Sequence, residues 1–367
     1  MNESQLAHLN WLVLSSTAVV SLFLGALFHR SHFCTMGAVS DVVVMGSFDR
    51  MRQWALALAV AIFGFGCMAY AGLINPLQSI YATKDLLWFS SLLGGLLFGW
   101  GMVWASGCGS KTLVRLGAGN LKALWVLLVM GVVALSAMKG ILAVGRVQYV
   151  DAMKIELPQG LFAGEWLSHY LSIPLQVGML VAACTVSVLL LVWILKDQNF
   201  ITLHNVLTGV LVGLVICVVW WISGVLGHGM EHPETLEEFF LATSSRKMEA
   251  LSFTGPVALT LDALMYFSDG TKRLTIGLIS VLGVCAGSFI SAWLQGTLKL
   301  EGFTNAADMR RHLVGASLMG LGAVLAMGCS IGQGLSGLST LSLSSLIASL
   351  AILAGAYAAL QFDLRQA

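Results

Sequence analysis

The stretch GGLLFGWGMVWASGC, residues 94–108, decides the fold because it occurs a second time, as GASLMGLGAVLAMGC at residues 315–329. With a shift of 221 residues, eight of the fifteen positions are identical, including the closing Gly-Cys pair. In both copies a glycine-rich apolar segment ends at Gly-Cys, and a polar, glycine-rich stretch follows. A helix interrupted inside a membrane leaves backbone groups that need partners. The duplication therefore predicts a structural repeat with a functional use.

The composition predicts an integral membrane protein. Of the 367 residues, 57% are hydrophobic and only 10% are charged, whereas soluble domains carry about a quarter charged residues. The apolar runs are continuous and have the length of a membrane-spanning α-helix, which excludes a β-barrel of short alternating segments. The first ten residues lack a basic region, so the first run is predicted to be a retained span and not a signal peptide. The net charge of +1 gives no indication of a nucleic-acid partner.

The apolar runs predict nine membrane-spanning helices and four short segments between them. The spans are expected at roughly 10–30, 52–75, 86–106, 120–145, 172–196, 203–226, 272–296, 311–328 and 342–362. The short segments, at roughly 36–47, 110–118, 256–267 and 331–339, each follow a break in the helical pattern. Non-helical backbone at membrane depth is tolerated only where protein or a water-filled cavity satisfies it. We therefore expect four re-entrant helices around a cavity.

The order of these elements predicts two inverted repeats in an all-α fold. Residues 1–145 and 201–367 each contain four spans and two re-entrant segments, and 146–200 is a linker with a single span. An even number of spans returns to its starting side, so the single linker span delivers the second repeat to the opposite side. This architecture is typical of secondary transporters, whose site lies near the bilayer midplane.

Basic residues in the loops predict the orientation. Eight lysines and arginines fall on the N-terminal side and eleven on the other, and long loops, which count little, lie on the N-terminal side. We expect a bacterial inner-membrane protein with a periplasmic N-terminus and a cytoplasmic C-terminus. Cys34 and Cys108 then lie towards the cytoplasm, and Cys329 towards the outside.

The seven cysteines divide into two classes. Four of them, Cys67, Cys184, Cys217 and Cys285, lie inside apolar runs, where cysteine usually acts as a small hydrophobe. No CxxC pair occurs, so neither a disulfide framework nor a zinc site is predicted. The other three lie at helix breaks, and the polar stretches after the two Gly-Cys pairs are expected to begin helices. A helix N-terminus attracts anions, and a thiol suits a ligand that presents sulfur or selenium.

The predicted site follows from these breaks. The substrate-binding residues are expected to be Cys34, Cys108, Cys329, Gly107, Gly109, Gly328, Ser330, Gly332, Gln333 and Gly334. Supporting residues are expected at Arg30, Asp41, Arg115, Thr254 and Gly255. The simpler alternative is that Gly-Cys only allows helices to pack closely, as small residues do in membranes.

Four motifs carry a resemblance to a known family: RSHFCTMGAVSD (30–41), SGCGSKTLVRLGAG (106–119), GCSIGQGL (328–335) and the weaker FTGP (253–256). The chain resembles the YeeE/YedE family of sulfur transporters, and most closely its thiosulfate-uptake members. The resemblance implies that thiosulfate passes from Cys329 to Cys108 to Cys34 by transient S–H···S hydrogen bonds. It also implies a cytoplasmic sulfur-carrier protein as a partner, and no cofactor is needed. The chain departs from the family pattern at His32, where glycine is usual, and Lys111 is unexpected.

Alternatives remain open at this point. One is a membrane sulfurtransferase in which a cysteine at a helix N-terminus carries a persulfide. Another is a transporter of selenium species, sulfide or another sulfur anion. The segment His228-Gly-Met-Glu-His232 fits the letters of an HxxEH metalloprotease motif, but its glycines and the following proline favour a loop. No metal is therefore predicted.

Overall fold

The computed structural model describes residues 3–197, 200–231, 237–268 and 274–366. These residues form fourteen α-helices: α1 (Glu3–Ser31), α2 (Thr35–Ser40), α3 (Asp49–Tyr70), α4 (Trp88–Trp104), α5 (Gly109–Gly117), α6 (Leu121–Lys139), α7 (Ile141–Gly145), α8 (Ala163–Leu171), α9 (Leu175–Leu195), α10 (Leu203–Trp221), α11 (Thr254–Met265), α12 (Ile276–Leu294), α13 (Ala306–Leu325) and α14 (Leu343–Gln366). Four π-helical segments lie at Asp41–Met45, Arg146–Val150, Ile222–Leu226 and Gly332–Gly337. Two short antiparallel pairs join β1 (Asp85–Leu86) to β2 (Ile155–Glu156) and β3 (His228–Gly229) to β4 (Phe239–Phe240).

The helices confirm an all-α integral membrane protein. By length and composition, eight helical segments of the described chain can cross a membrane, one fewer than predicted. The remaining predicted span, 311–328, corresponds to α13, which is 20 residues long. Asp308, Arg310 and Arg311 lie in its first two turns and make it too polar to qualify by composition. The predicted span 120–145 also ends earlier than expected, because α6 stops at Lys139 and Gly140 separates it from α7.

The four short helices are present where the sequence predicted them. They are α2 with the π-helical Asp41–Met45, α5, α11, and the π-helical Gly332–Gly337. The last differs from expectation because it is a π-helix and not an α-helix. π-Helical turns are rare and are frequently found at functional sites.

The duplicated stretch forms the central crossing of the molecule, where α4 packs against α13. A Cβ added to Gly101 would lie 2.5 Å from the carbonyl oxygen of Gly315, and one added to Gly322 would lie 2.7 Å from that of Gly94. The two backbones therefore touch directly, which glycine alone permits. With the shift of 221 residues, the Gly94–Gly322 contact becomes the Gly315–Gly101 contact, so the two crossings are equivalent.

The other helix pairs of one half also have equivalents in the other half. The α1–α12 pair corresponds to α10–α3, the α4–α14 pair to α13–α6, and the α5–α12 pair to Gly332–Gly337 on α3. Helix α9, the predicted linker, packs on α3 and on α8. The halves pack as equivalents, while their opposite orientation in a membrane and their division at residues 145 and 201 stay predictions.

Hydrogen bonds between the connecting segments define two ends of the molecule. We call the first the loop end (residues 71–87, 140–174, 227–231 and 237–253); there Ile80 N donates to Met248 O over 2.9 Å. We call the second the basic end (residues 29–52, 105–122 and 295–311); there Leu121 N donates to Glu301 O over 2.9 Å. The break at Cys329 lies towards the loop end, and the breaks at Cys34 and Cys108 lie towards the basic end.

Candidate functional site

The three cysteines at helix breaks share one local backbone geometry. Two residues before each cysteine, the chain enters the left-handed region: His32 has φ 53°, Ser106 has φ 58° and Met327 has φ 56°. This conformation costs roughly 1–2 kcal/mol for a residue other than glycine. The sequence motifs therefore encode the same sharp turn three times, and each turn ends one helix and starts the next.

Each cysteine stands at the start of the helix that follows the turn. Cys34 is the N-cap residue of α2 and Cys108 that of α5. At Cys329 the amide of Gly332, three residues on, donates to the sulfur over 3.4 Å. At the other two breaks the amide three residues after the cysteine also lies near the sulfur: Gly37 N near Cys34 and Lys111 N near Cys108. Neither amide closes a capping hydrogen bond to the thiol. Each thiol is thus held beside the unpaired amides of a helix start.

The three thiols are free and lie inside the protein. Cys108 and Cys329 are completely buried, and Cys34 is 8% exposed. The side chains of Cys34 and Cys108 lie close enough to each other for their thiols to interact. Cys108 Sγ also lies 3.2 Å from Ser110 Oγ. The two breaks of the first half therefore present a single paired thiol site.

Residues of the second half extend this site towards the loop end. Ser330 Oγ faces the Cys108 thiol but makes no well-aligned hydrogen bond. Cys329 Sγ, beside Ser330, lies 3.8 Å from Ser252 Oγ. A line of contacts therefore runs from Ser252 through Cys329, Ser330 and Cys108 to Cys34.

The predicted glycines give other groups room to approach the breaks. A Cβ on Gly107 would lie 3.1 Å from the Lys111 side chain, and one on Gly109 would lie 3.2 Å from Thr254 Oγ1. At the other break, the neighbours of such a Cβ are Gln333 for Gly328, Ser252 for Gly332 and the Trp54 ring for Gly334. Gly255 alone of the predicted glycines faces open space.

Several buried polar atoms near the cysteines have no hydrogen-bond partner among the residues described. They are Thr35 Oγ1, Trp54 Nε1, Ser330 Oγ and Gln333 Oε1. The amide nitrogen of Gln333 does donate to Ala326 O over 2.6 Å, which fixes the side chain in place. An unsatisfied buried polar atom costs about 1–3 kcal/mol. These atoms are therefore suited to a polar ligand or water that reaches the breaks.

Tyr81 closes the loop end of this line. Its hydroxyl donates to Gly332 O over 2.5 Å, and burial raises the pKa of that hydroxyl. A cavity of about 20 Å³ lies beside it, lined by residues that include Tyr81, Met327 and Gln333. This is space for about one water molecule. A thiosulfate ion is larger than the space in this cavity.

Comparisons with known proteins identify the family of the chain. A family model described as sulphur transport matches residues 30–358, a range that contains all three break cysteines. The chain belongs to the sulphur-transport family. The thiosulfate transporter TsuA of Escherichia coli (strain K12) is 26% identical over 342 residues, which cover 87% of this chain and 86% of that protein. The TsuA of Spirochaeta thermophila is 26% identical over 349 residues, covering 92% of this chain and 95% of that protein.

The five residues predicted to support the site do not share one environment in the structure. Asp41 pairs with Arg50 at 3.1 Å, and Arg115 donates to Ser106 O over 3.1 Å, which satisfies the carbonyl at the turn. Arg30 is exposed at the end of α1. Thr254 is completely buried, and its hydroxyl contacts Met130 Sδ at 3.8 Å. Of the five supporting residues, only Thr254 and Gly255 stand at the start of a short helix, α11. That helix start lies next to Gly109, the first residue of α5.

The HxxEH-like segment shows a different pairing. His228 Nε2 lies 2.6 Å from Glu238 Oε1, whose pKa is lowered by that contact. His232 lies outside the described residues. Within the described ranges, no three His, Cys, Asp or Glu side chains come together as a metal site would require.

Three contact residues were not predicted from the sequence. Tyr81 lies in the α3–α4 connection, far from any motif, and nothing in the sequence marks it. Trp54 lies inside a predicted span, where an aromatic residue is unremarkable. Ser252 directly precedes the FTGP motif, so a search around that motif would have found it.

Proposed function

We propose that this protein imports thiosulfate across the bacterial inner membrane. The observation that carries the proposal is that three buried, free thiols lie at helix breaks near one another: Cys108 is close to Cys34 and to Ser330, the chain neighbour of Cys329. The family match and the two relatives named thiosulfate transporters support the same cargo. Free thiols in such a line suit an ion with a terminal sulfur atom.

In this proposal the anion moves from the loop end to the basic end. Helix-start amides at each break attract the oxygen-bearing part of thiosulfate, and the adjacent thiol donates an S–H···S hydrogen bond to its terminal sulfur. Each site is individually weak, which conduction requires because an ion must also leave. The paired thiols of Cys34 and Cys108 receive the ion after Cys329.

We further propose that the two halves are inverted repeats around this path. The support is that the helix pairs of one half have equivalents in the other half, and that α4 and α13 cross at two equivalent pairs of glycines. Inverted repeats place a transporter's site between them near the midplane. A cytoplasmic sulfur-carrier protein as the acceptor remains a prediction from the family resemblance.

The decisive experiment removes one thiol. Cys108→Ala is expected to reduce uptake of sulfur-labelled thiosulfate at least tenfold in a host with no other uptake route, because the paired thiol site is lost. Cys184→Ala is the matched control, since Cys184 lies in the middle of α9, away from the breaks. Undiminished uptake by the Cys108 variant at equal expression would refute the relay.

A mass measurement separates the transporter from a sulfurtransferase. The proposed relay leaves the thiols chemically unchanged. The intact protein is therefore expected to keep its mass after exposure to thiosulfate. A persulfide would add one sulfur, about 32 Da, to Cys108 or Cys34. A stable gain of that size would favour the enzyme.

A further inference from the structure

Lys111 lies beside the paired thiols without a role in the relay described above. It follows Cys108 by three residues, in the first turn of α5, and it is half-buried. Its positive charge acts on three groups across the α1–α2 turn: His29, His32 and Cys34. The charge of Lys111 is therefore within electrostatic reach of the turn that carries Cys34.

No carboxylate neutralises Lys111 within the described part of the chain. Two other cations at the basic end do have carboxylate partners: Arg50 pairs with Asp41 at 3.1 Å, and Lys122 with Asp308 at 2.8 Å. Lys111 is therefore a cation near the paired thiols whose charge a bound anion could compensate.

The stem of Lys111 is held in place by the helix break. A Cβ on Gly107 would lie 3.1 Å from Lys111 Cγ and 3.3 Å from its Cβ, so the missing side chain at Gly107 makes room for the lysine. This packing holds the stem of Lys111 over the break, beside the thiols, and argues against a loose contact with lipid headgroups. The shift of 221 residues places Gly332 at the equivalent position next to Cys329, so the cation is present at only one of the two sites.

We propose that the Lys111 ammonium binds the oxygen atoms of the anion while its terminal sulfur lies between Cys108 and Cys34, and that it selects divalent over monovalent sulfur anions. The inference rests on the proposed thiosulfate transport. Amide dipoles and thiols carry no net charge, so they compensate poorly for the lost hydration of a dianion. A lysine at the inner site supplies that compensation and makes this site prefer the doubly charged ion.

The test compares two anions that share a terminal sulfur but differ in charge. Thiosulfate is divalent, and methanethiosulfonate is monovalent. Uptake of labelled thiosulfate into proteoliposomes, with methanethiosulfonate as competitor, gives KM for the first and an inhibition constant for the second. Lys111→Met is expected to raise KM for thiosulfate about tenfold and to change the inhibition constant much less, because only the dianion loses its counter-charge. Lys111→Arg is expected to restore the thiosulfate KM.

Two further variants keep the result interpretable. Lys111→Gln retains much of the stem over Gly107 and carries the same expectation, so a poorly folded methionine variant does not decide the outcome. Lys299→Met removes an exposed cation at the same end and is expected to leave both constants unchanged. An unchanged thiosulfate KM, or an equal change for both anions, in the Gln variant overturns the proposal for Lys111. Failure of the unmodified protein to transport thiosulfate would instead overturn the proposed function itself.

Discussion

His32 adopts the strained backbone conformation that the helix break before Cys34 requires. Its φ of 53° lies in the left-handed region, as do those of Ser106 and Met327 before the other two cysteines. Such strain concentrates at functional sites, where the surrounding structure enforces it. The sequence identified the three cysteines as special because each follows a break, but it gave no sign that the breaks share a left-handed residue at the same position. That position is where the resemblance led us to expect glycine.

Replacing His32 with glycine is expected to stabilise the protein modestly. The change removes a left-handed penalty of roughly 1–2 kcal/mol, of which about 0.4–1 kcal/mol is lost again because glycine makes the unfolded chain more flexible. Thermal unfolding of the purified protein in detergent should show a small rise in the midpoint. The matched control is Ser31→Gly in the last residue of α1, which is expected to lower the midpoint because glycine is the poorer helix former and the Ser31 Oγ hydrogen bond to Leu27 O is lost. A lower midpoint for the His32 variant would mean that its side chain contributes more than its backbone costs.

At the scale of elements, the sequence predicted most of the helices and the short segments. Long apolar runs bounded by glycine, proline and charge mark spans reliably because the membrane requires about 20 apolar residues. Two elements differed for identifiable reasons. Helix α13 carries Asp308, Arg310 and Arg311, which one-dimensional hydropathy penalises although the helix packs on α4 and α6. Gly332–Gly337 is π-helical, and a segment with three glycines has few side chains to indicate its hydrogen-bond pattern in advance.

The close crossing of α4 and α13 predicts that Gly322→Ala is strongly destabilising. The added methyl group would lie 2.5 Å from Phe98 N and 2.7 Å from Gly94 O, so the two helices must separate. Overpacking of this kind typically costs about 1–3 kcal/mol. Gly145→Ala is the control, because an added Cβ there meets nothing within 4 Å and alanine favours the helix. Melting midpoints in detergent should fall for the first variant and hold or rise for the second; an unchanged midpoint for Gly322→Ala would show that the crossing is looser than its geometry indicates.

At the scale of the whole molecule, the three thiols at the helix breaks lie inside the protein. The thiols are buried, the cavity beside Tyr81 holds about one water, and Tyr81 ties the α3–α4 connection to Gly332. The sequence predicted a cavity around the short helices. The size of that cavity depends on contacts between segments more than two hundred residues apart, and these cannot be read from the sequence. The contact of Ser330 with Cys108 is of the same kind. If the ion enters beside Tyr81, we expect local movement where the π-helix and Tyr81 meet.

The direction of transport depends on which end faces the cytoplasm, and the charges of the two ends predict it. The basic end carries Arg50, Lys111 and Lys122 at the starts of α3, α5 and α6, next to short connections, the arrangement typical of the cytoplasmic side. Two exposed positions test this: Lys84→Cys at the loop end and Gly302→Cys at the basic end. A membrane-impermeant maleimide should label the first variant in intact spheroplasts and the second only after permeabilisation, with the unmodified chain as the background for its own thiols. The reverse pattern would place Cys34 and Cys108 outside, and the order Cys329, Cys108, Cys34 would then describe export.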